Sequence, residues 1–79
     1  MVSFRFTFSG DLYHIRKANG WSQQYVADQI RVSLREYQNI ESGKRLPHVE
    51  TFLRLVYLFE LNIADYREEV MEDVPVSHE

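Results

Sequence analysis

Four side chains, Arg35, Gln38, Asn39 and Ser42, recur at i, i+3, i+4 and i+7, the spacing of one helix face. All four form hydrogen bonds. An arginine can grip guanine O6 and N7 with two bonds, and a glutamine or asparagine can match adenine N6 and N7. A helix that displays them from its first turns has what reading a major groove requires. A merely solvated face would also carry polar residues outward, so the neighbours decide the weight of the pattern. Gln23 follows Ser22, a helix cap, so its amide and the helix-end N–H groups are expected to point outward together as a phosphate clamp. Lys44 and Arg45, just after Gly43, can hold a second phosphate on the other side of the same helix.

The opposite face carries Tyr37, Ile40 and Glu41. An unpaired carboxylate on an apolar face is costly. Arg16, next to inward Ile15 on an earlier helix, is the best-placed cation, and an Arg16–Glu41 ion pair is expected to orient the reading helix more than to stabilise the fold. The alternative is a carboxylate that reaches the rim and stays solvated.

These side chains need helices to carry them. Ser9 can cap a first helix running to about Asn19, with Leu12 and Ile15 inward and Gly20 as a left-handed stop. Ser22 caps a second helix, Gln23 to Ile30, with Val26, Ala27 and Ile30 inward. Ser33 with Glu36 makes a capping box that opens a third helix ending at Gly43. Two short helices separated by Arg31-Val32 form a helix-turn-helix candidate. A fourth helix, about Val49 to Glu60, is apolar around most of its circumference, which predicts deep packing. Asn62 with Asp65 opens a fifth, carrying Ile63, Tyr66 and Val70. Residues 1–9 alternate strictly, with Val2, Phe4, Phe6 and Phe8 on one side, and read as a half-buried β-strand arm. Such a strand needs a partner, and a second copy of the chain suits better than Val74-Pro75-Val76. The division expected is therefore a β-arm at 1–9, a DNA-binding domain at 10–72 and a flexible tail at 73–79.

A chain of 79 residues allows one small domain, and the absence of cysteine removes disulfides, thiolate metal sites and thiol nucleophiles. His14, His48 and His78 lack metal-ligand spacing, and no HExxH, phosphate-loop or serine-nucleophile motif occurs. An enzyme is not expected, nor a metal or cofactor, nor a membrane span, since the longest apolar run is Leu55 to Phe59. The net charge of −3 speaks against a polyanion partner until it is divided. Residues 1–48 hold seven basic against four acidic groups, whereas 49–79 hold two against eight. The front half is thus +3 and the back half −6, which leaves the front free to face DNA. An ordinary solvated helix face would account for much of the acidic run.

The stretch IRKANGWSQQYVADQIRVSLREYQNIESGKRLPHVETFLRLVYLFELNIADY, residues 15–66, resembles the phage-repressor/Cro-like, or xenobiotic-response-element, helix-turn-helix family. Its marks are Arg16…Gly20, Ser22-Gln23…Val26-Ala27, Val32-Ser33 and Ile40-Glu41-Ser42-Gly43-Lys44-Arg45…Pro47. The resemblance implies an all-α, five-helix repressor-like domain that binds operator DNA, usually as a dimer, with helix three in the major groove. It puts Gln23, Leu34, Arg35 and Asn39 where the family commonly touches bases or phosphates. Ser22, Ser33, Gln38 and Ser42 are supporting candidates, and Arg16 and Glu41 match the family's buried pair. Arg31 stands where the family favours glycine, so a positive φ is expected there. Tyr37 replaces a small aliphatic residue, and its hydroxyl must find a partner. His48 replaces a common serine or threonine cap. Leu34 is apolar at a frequently polar reading position.

The expected function is sequence-specific transcriptional regulation, by default repression. A homodimer would bind a two-fold symmetric operator with helices 34–42 about 34 Å apart. Phe4, Phe6 and Phe8, or Leu55 and Leu58, are candidates for the dimer contact; packing within the chain is the alternative for both sets. The other function class is a protein-binding module, antitoxin-like or adaptor, on the same scaffold. A regulator of this kind is expected in the cytoplasm, on the nucleoid.

Overall fold

The computed structural model describes residues 4–68. Among them are four α-helices: α1 Phe4–Ala18, α2 Gln23–Ile30, α3 Leu34–Glu41 and α4 Val49–Phe59. A 3-10 turn, Ile63–Tyr66, follows. There is no strand among the described residues, so the β-arm is corrected: from Phe4 onward it is the first two turns of α1. Alternation of Phe4, Phe6 and Phe8 satisfies period two, but Phe4, Phe8 and Leu12 also stand at i, i+4 and i+8. A helix satisfies its own backbone, whereas a lone strand cannot. Phe8 and Leu12 are buried, and Phe6, at the opposite phase, is 71% exposed. Ser9 is therefore not a cap: it lies buried inside α1, its hydroxyl donating to the Phe6 carbonyl at 3.0 Å.

The fifth helix is corrected as well. Asn62 does cap a turn, its side chain accepting from the Ala64 N–H at 3.0 Å, but the element is four residues of 3-10 helix. Tyr66 is buried and Ile63 exposed; Val70 and the tail lie outside the described residues.

The core consists of Phe8, Leu12, Val26, Ala27, Ile30, Tyr37, Ile40, Leu55, Phe59 and Tyr66. Each large side chain buried this way contributes about 1.5–3 kcal/mol over leaving it in water. At one end, Phe4 stacks on Phe8 with centroids 5.3 Å apart, and Tyr66 meets Phe4 edge-on at 5.3 Å. The Tyr66 hydroxyl donates to Asp11 Oδ2 at 2.6 Å, which closes α1 against the final turn. At the other end Trp21 stands edge-on to Phe59 at 5.6 Å. Phe8 and Leu55, two candidates for a contact between copies, thus lie inside this chain's own core, and Phe4 and Leu58 pack partly buried against it.

α4 is less enclosed than its composition suggests. Thr51, Leu55 and Phe59 face inward, whereas Val49 (74%), Leu53 (52%) and Tyr57 (87%) are exposed. α4 packs on α2 and α1, and these cover one side of it.

Candidate nucleic-acid interface

Local signals set the two short helices. The Ser22 hydroxyl accepts from the Tyr25 N–H at 2.9 Å, and the Ser33 hydroxyl from the Glu36 N–H at 3.0 Å. Each satisfies a helix-end donor. Between them the chain turns at Arg31, which takes φ 65°, ψ 42° and ends α2. The Val32 N–H then closes onto the Ala27 carbonyl at 3.0 Å. α3 stops where Gly43 adopts φ +81°; a Cβ there would meet Ser9 Oγ at 3.2 Å. The Lys44 and Arg45 N–H groups both return to the Asn39 carbonyl, at 3.0 and 3.2 Å. His48 begins α4 with no side-chain cap bond.

Beneath α3 lies a polar cluster in an apolar setting. Arg16 Nε and Nη2 donate to Glu41 Oε1 and Oε2 at 2.7 and 3.0 Å, and Nη1 donates to the Trp21 carbonyl at 2.9 Å. The two side chains keep only 10% and 7% of their surface. The Tyr37 hydroxyl donates to Glu41 Oε1 at 2.6 Å, and Gln23 Nε2 to Glu41 Oε2 at 3.2 Å. Burial alone would raise the Glu41 pKa, but the bonds from Arg16, Tyr37 and Gln23 outweigh it and hold the carboxyl below its ordinary value. Burial, then donation to Glu41, pushes the Tyr37 phenol above its usual range. The hydrogen bond to Glu41 likewise raises Arg16. One carboxylate thus ties α1, the start of α2 and the end of α3 together.

Above this cluster, Leu34, Arg35, Gln38, Asn39, Ser42 and Lys44 line one shallow groove along α3. Arg35, Gln38, Ser42 and Lys44 are exposed, Leu34 and Asn39 half-buried. Ser42 Oγ donates to the Asn39 carbonyl at 3.1 Å. Ser22 and Ser33 sit exposed at the helix starts. Arg45 departs from the group, turning back towards Glu36 Oε2 at 3.7 Å. Gln23 departs further. Its side chain faces Glu41, and its Oε1 accepts from Gln38 Nε2 at 3.1 Å. Sequence reasoning missed this bridge because it joins residues 15 apart on different helices; the only signal was the N-terminal place of Gln23 on α2.

The sequence profile of the helix-turn-helix family matches residues 12–66. The chain belongs to the phage-repressor/Cro-like, xenobiotic-response-element family of helix-turn-helix proteins. It is 33% identical over 66 residues to the HTH-type transcriptional regulator AnsR of Bacillus subtilis, an alignment covering 81% of this chain and 57% of AnsR. It is 36% identical over 50 residues to the cryptic phage CTXphi transcriptional repressor RstR of Vibrio cholerae, covering 63% of this chain and 45% of RstR. The chain thus spans about half the length of these relatives. No solved structure gives a significant match. No helix among the described residues is long and apolar enough to cross a membrane. No group of three or more His, Cys, Asp or Glu among them could hold a metal ion.

Proposed function

We propose that this protein is a sequence-specific DNA-binding transcriptional regulator, a repressor that occupies its operator as a homodimer with α3 in the major groove. One observation carries this reading: Arg35, Gln38, Asn39, Ser42 and Lys44 share one groove on α3, while the opposite side of α3 is anchored through Tyr37, Ile40 and Glu41. A rigid anchor under an exposed hydrogen-bonding face suits base reading, because the reading side chains are held in place before contact. Relatives named as a regulator and a repressor support the same reading. Arg35 and Asn39 take the base-reading roles, Leu34 meets a thymine methyl, and Lys44, Arg45 and the α2 start with Ser22 meet phosphates. A cytoplasmic, nucleoid-bound location goes with this function.

The homodimer takes its support from α4. Val49, Leu53 and Tyr57 recur at i, i+4 and i+8 as an exposed apolar stripe. A short apolar stripe suits an isologous contact, in which the same residues face each other across a two-fold axis. The stripe also favours a second reading, a protein-binding module. A chain that is monomeric at micromolar concentration assigns the stripe to a different protein.

Selection from random duplexes at two salt concentrations tests DNA reading. A defined, two-fold symmetric motif that survives the higher salt is the expected result. Binding that follows charge alone, with no motif, overturns it.

A further inference from the structure

The hydrogen bonds running from Glu41 to Gln38 have a direction. The Arg16 guanidinium donates to both Glu41 oxygens at 2.7 and 3.0 Å, the fork of an ionised carboxylate, so both oxygens only accept. Four donors reach them: Arg16 Nε and the Tyr37 hydroxyl on Oε1, Arg16 Nη2 and Gln23 Nε2 on Oε2. Gln23 must therefore turn its NH2 to the carboxylate, which sends its carbonyl oxygen the other way. That oxygen also only accepts, so Gln38 must meet it with its own NH2, as it does at 3.1 Å. Reversing Gln38 would set two carbonyl oxygens together, and reversing Gln23 would set a carbonyl against a carboxylate. Gln38 Oε1 accepts no bond among the described residues, and Gln38 lies exposed in the α3 groove.

We propose that Gln23 is a specificity-positioning residue: it passes the polarity of the Glu41 carboxylate to Gln38, which presents its carbonyl oxygen to the DNA and reads a base carrying an exocyclic amine. In the major groove those bases are adenine, through N6, and cytosine, through N4; guanine and thymine offer carbonyl oxygens at the corresponding atoms. A free glutamine amide can rotate to suit either class. The bond to Gln23 fixes the orientation of the amide, so the carbonyl oxygen, with one remaining N–H beside it, is set before DNA arrives. This proposal rests on the DNA-binding reading above and names a determinant of its sequence preference.

The test compares the full chain with Gln23→Met, Gln38→Met and the double variant. Base preferences come from duplex selection at one salt concentration, and folding is checked by thermal unfolding. The wild type should prefer adenine or cytosine at one position. Gln38→Met should flatten that position alone. Gln23→Met should keep binding but admit guanine or thymine there, lowering discrimination by about tenfold. The double variant should match Gln38→Met. A Gln23→Met variant that loses affinity equally on every sequence, with its preferences unchanged, overturns the relay and makes Gln23 a phosphate contact. A wild-type preference for guanine or thymine at the position lost in Gln38→Met overturns the polarity. Side-chain amide NMR of the free protein tests the relay without DNA: the Gln38 NH2 should exchange slowly with water, and faster in Gln23→Met. If that difference is seen and no duplex binds, the function assigned above fails while the relay stands. If duplexes bind and that difference is missing, the relay fails alone.

Discussion

Arg16 and Glu41, 25 residues apart, meet in a two-bond fork that is nearly closed to water. The fork anchors the end of α3 to α1 from its buried side. α3 has eight residues, too few to be stable alone. Its first turn is fixed by the Ser33 cap, and its last by Glu41 bonded to α1 and α2. Removing one partner of such a buried pair leaves an unpaired charge. Glu41→Ala is expected to cost about 3–5 kcal/mol in urea unfolding, with the Tyr37 hydroxyl and the Arg16 fork losing their acceptor together. A loss below about 1 kcal/mol would mean that the carboxylate is solvated after all.

The same cluster sets the response to pH. The Glu41 pKa is lower in the folded chain than its ordinary value, so the folded state binds fewer protons there than the unfolded one. Its stabilisation is present in full above the ordinary carboxylate range, near pH 4.3, and is lost as pH falls through the folded value. Tyr37 has the opposite sign. Its pKa is raised, so its contribution is complete below about pH 10 and declines as pH rises beyond that. Urea midpoints should hold level between these limits and drop on both sides. In Tyr37→Phe the alkaline decline should weaken; an identical decline in that variant would assign it to other groups.

Arg31 is held at φ 65° with no hydrogen bond from its side chain among the described residues. A residue with a Cβ pays roughly 1–2 kcal/mol to occupy the left-handed region, while glycine gives back about 0.5–1 kcal/mol through its freer unfolded chain. Arg31→Gly should therefore stabilise the fold by about 0.5–1 kcal/mol, read as a higher thermal midpoint. A destabilised variant would show that the arginine stem contributes packing that outweighs the strain.

Several elements were legible because their causes are local. The Ser22 and Ser33 caps and the stop at Gly43 depend on neighbours within a few positions, whereas the left-handed Arg31 followed from the family resemblance, which favours glycine there. The Arg16–Glu41 pair followed from a charge on an apolar face, which must find a partner wherever the chain supplies one. Phe4 to Ser9 misled because spacings of two and of four coincide over so short a stretch, and Leu12 decides between them. α4 misled for a different reason. Val49, Leu53 and Tyr57 are as apolar as the residues that face inward, and only the positions of α1 and α2 determine which side is covered. The Gln23–Gln38 bond depends on how α2 crosses α3, which no local pattern records.

In the proposed function Arg35 and Lys44 make different kinds of DNA contact. Both are exposed along the α3 groove, but a base contact carries sequence preference and a phosphate contact does not. Arg35→Ala is expected to cost about 1–3 kcal/mol on the operator and to relax one base position. Lys44→Ala should weaken binding on all sequences alike and reduce the salt slope by about 1. Fluorescence anisotropy on matched and scrambled duplexes over a salt series distinguishes them. Equal loss on both duplexes for Arg35→Ala would reassign it to a phosphate.

Tyr57 and Leu53 test the proposed dimer. Both are exposed on α4, away from the core residues Thr51, Leu55 and Phe59. Leu53→Asp should leave monomer folding within about 0.5 kcal/mol, as exposed substitutions do, yet place facing carboxylates across a two-fold contact. Sedimentation should show the wild type as a dimer at micromolar concentration and the variant as a monomer. Affinity for a two-fold symmetric duplex should fall by at least about a hundredfold, because linked binding to two half-sites is lost, while affinity for a single half-site stays the same. A variant that still sediments as a dimer would move the contact off this stripe, and a monomeric wild type would leave the stripe to another protein.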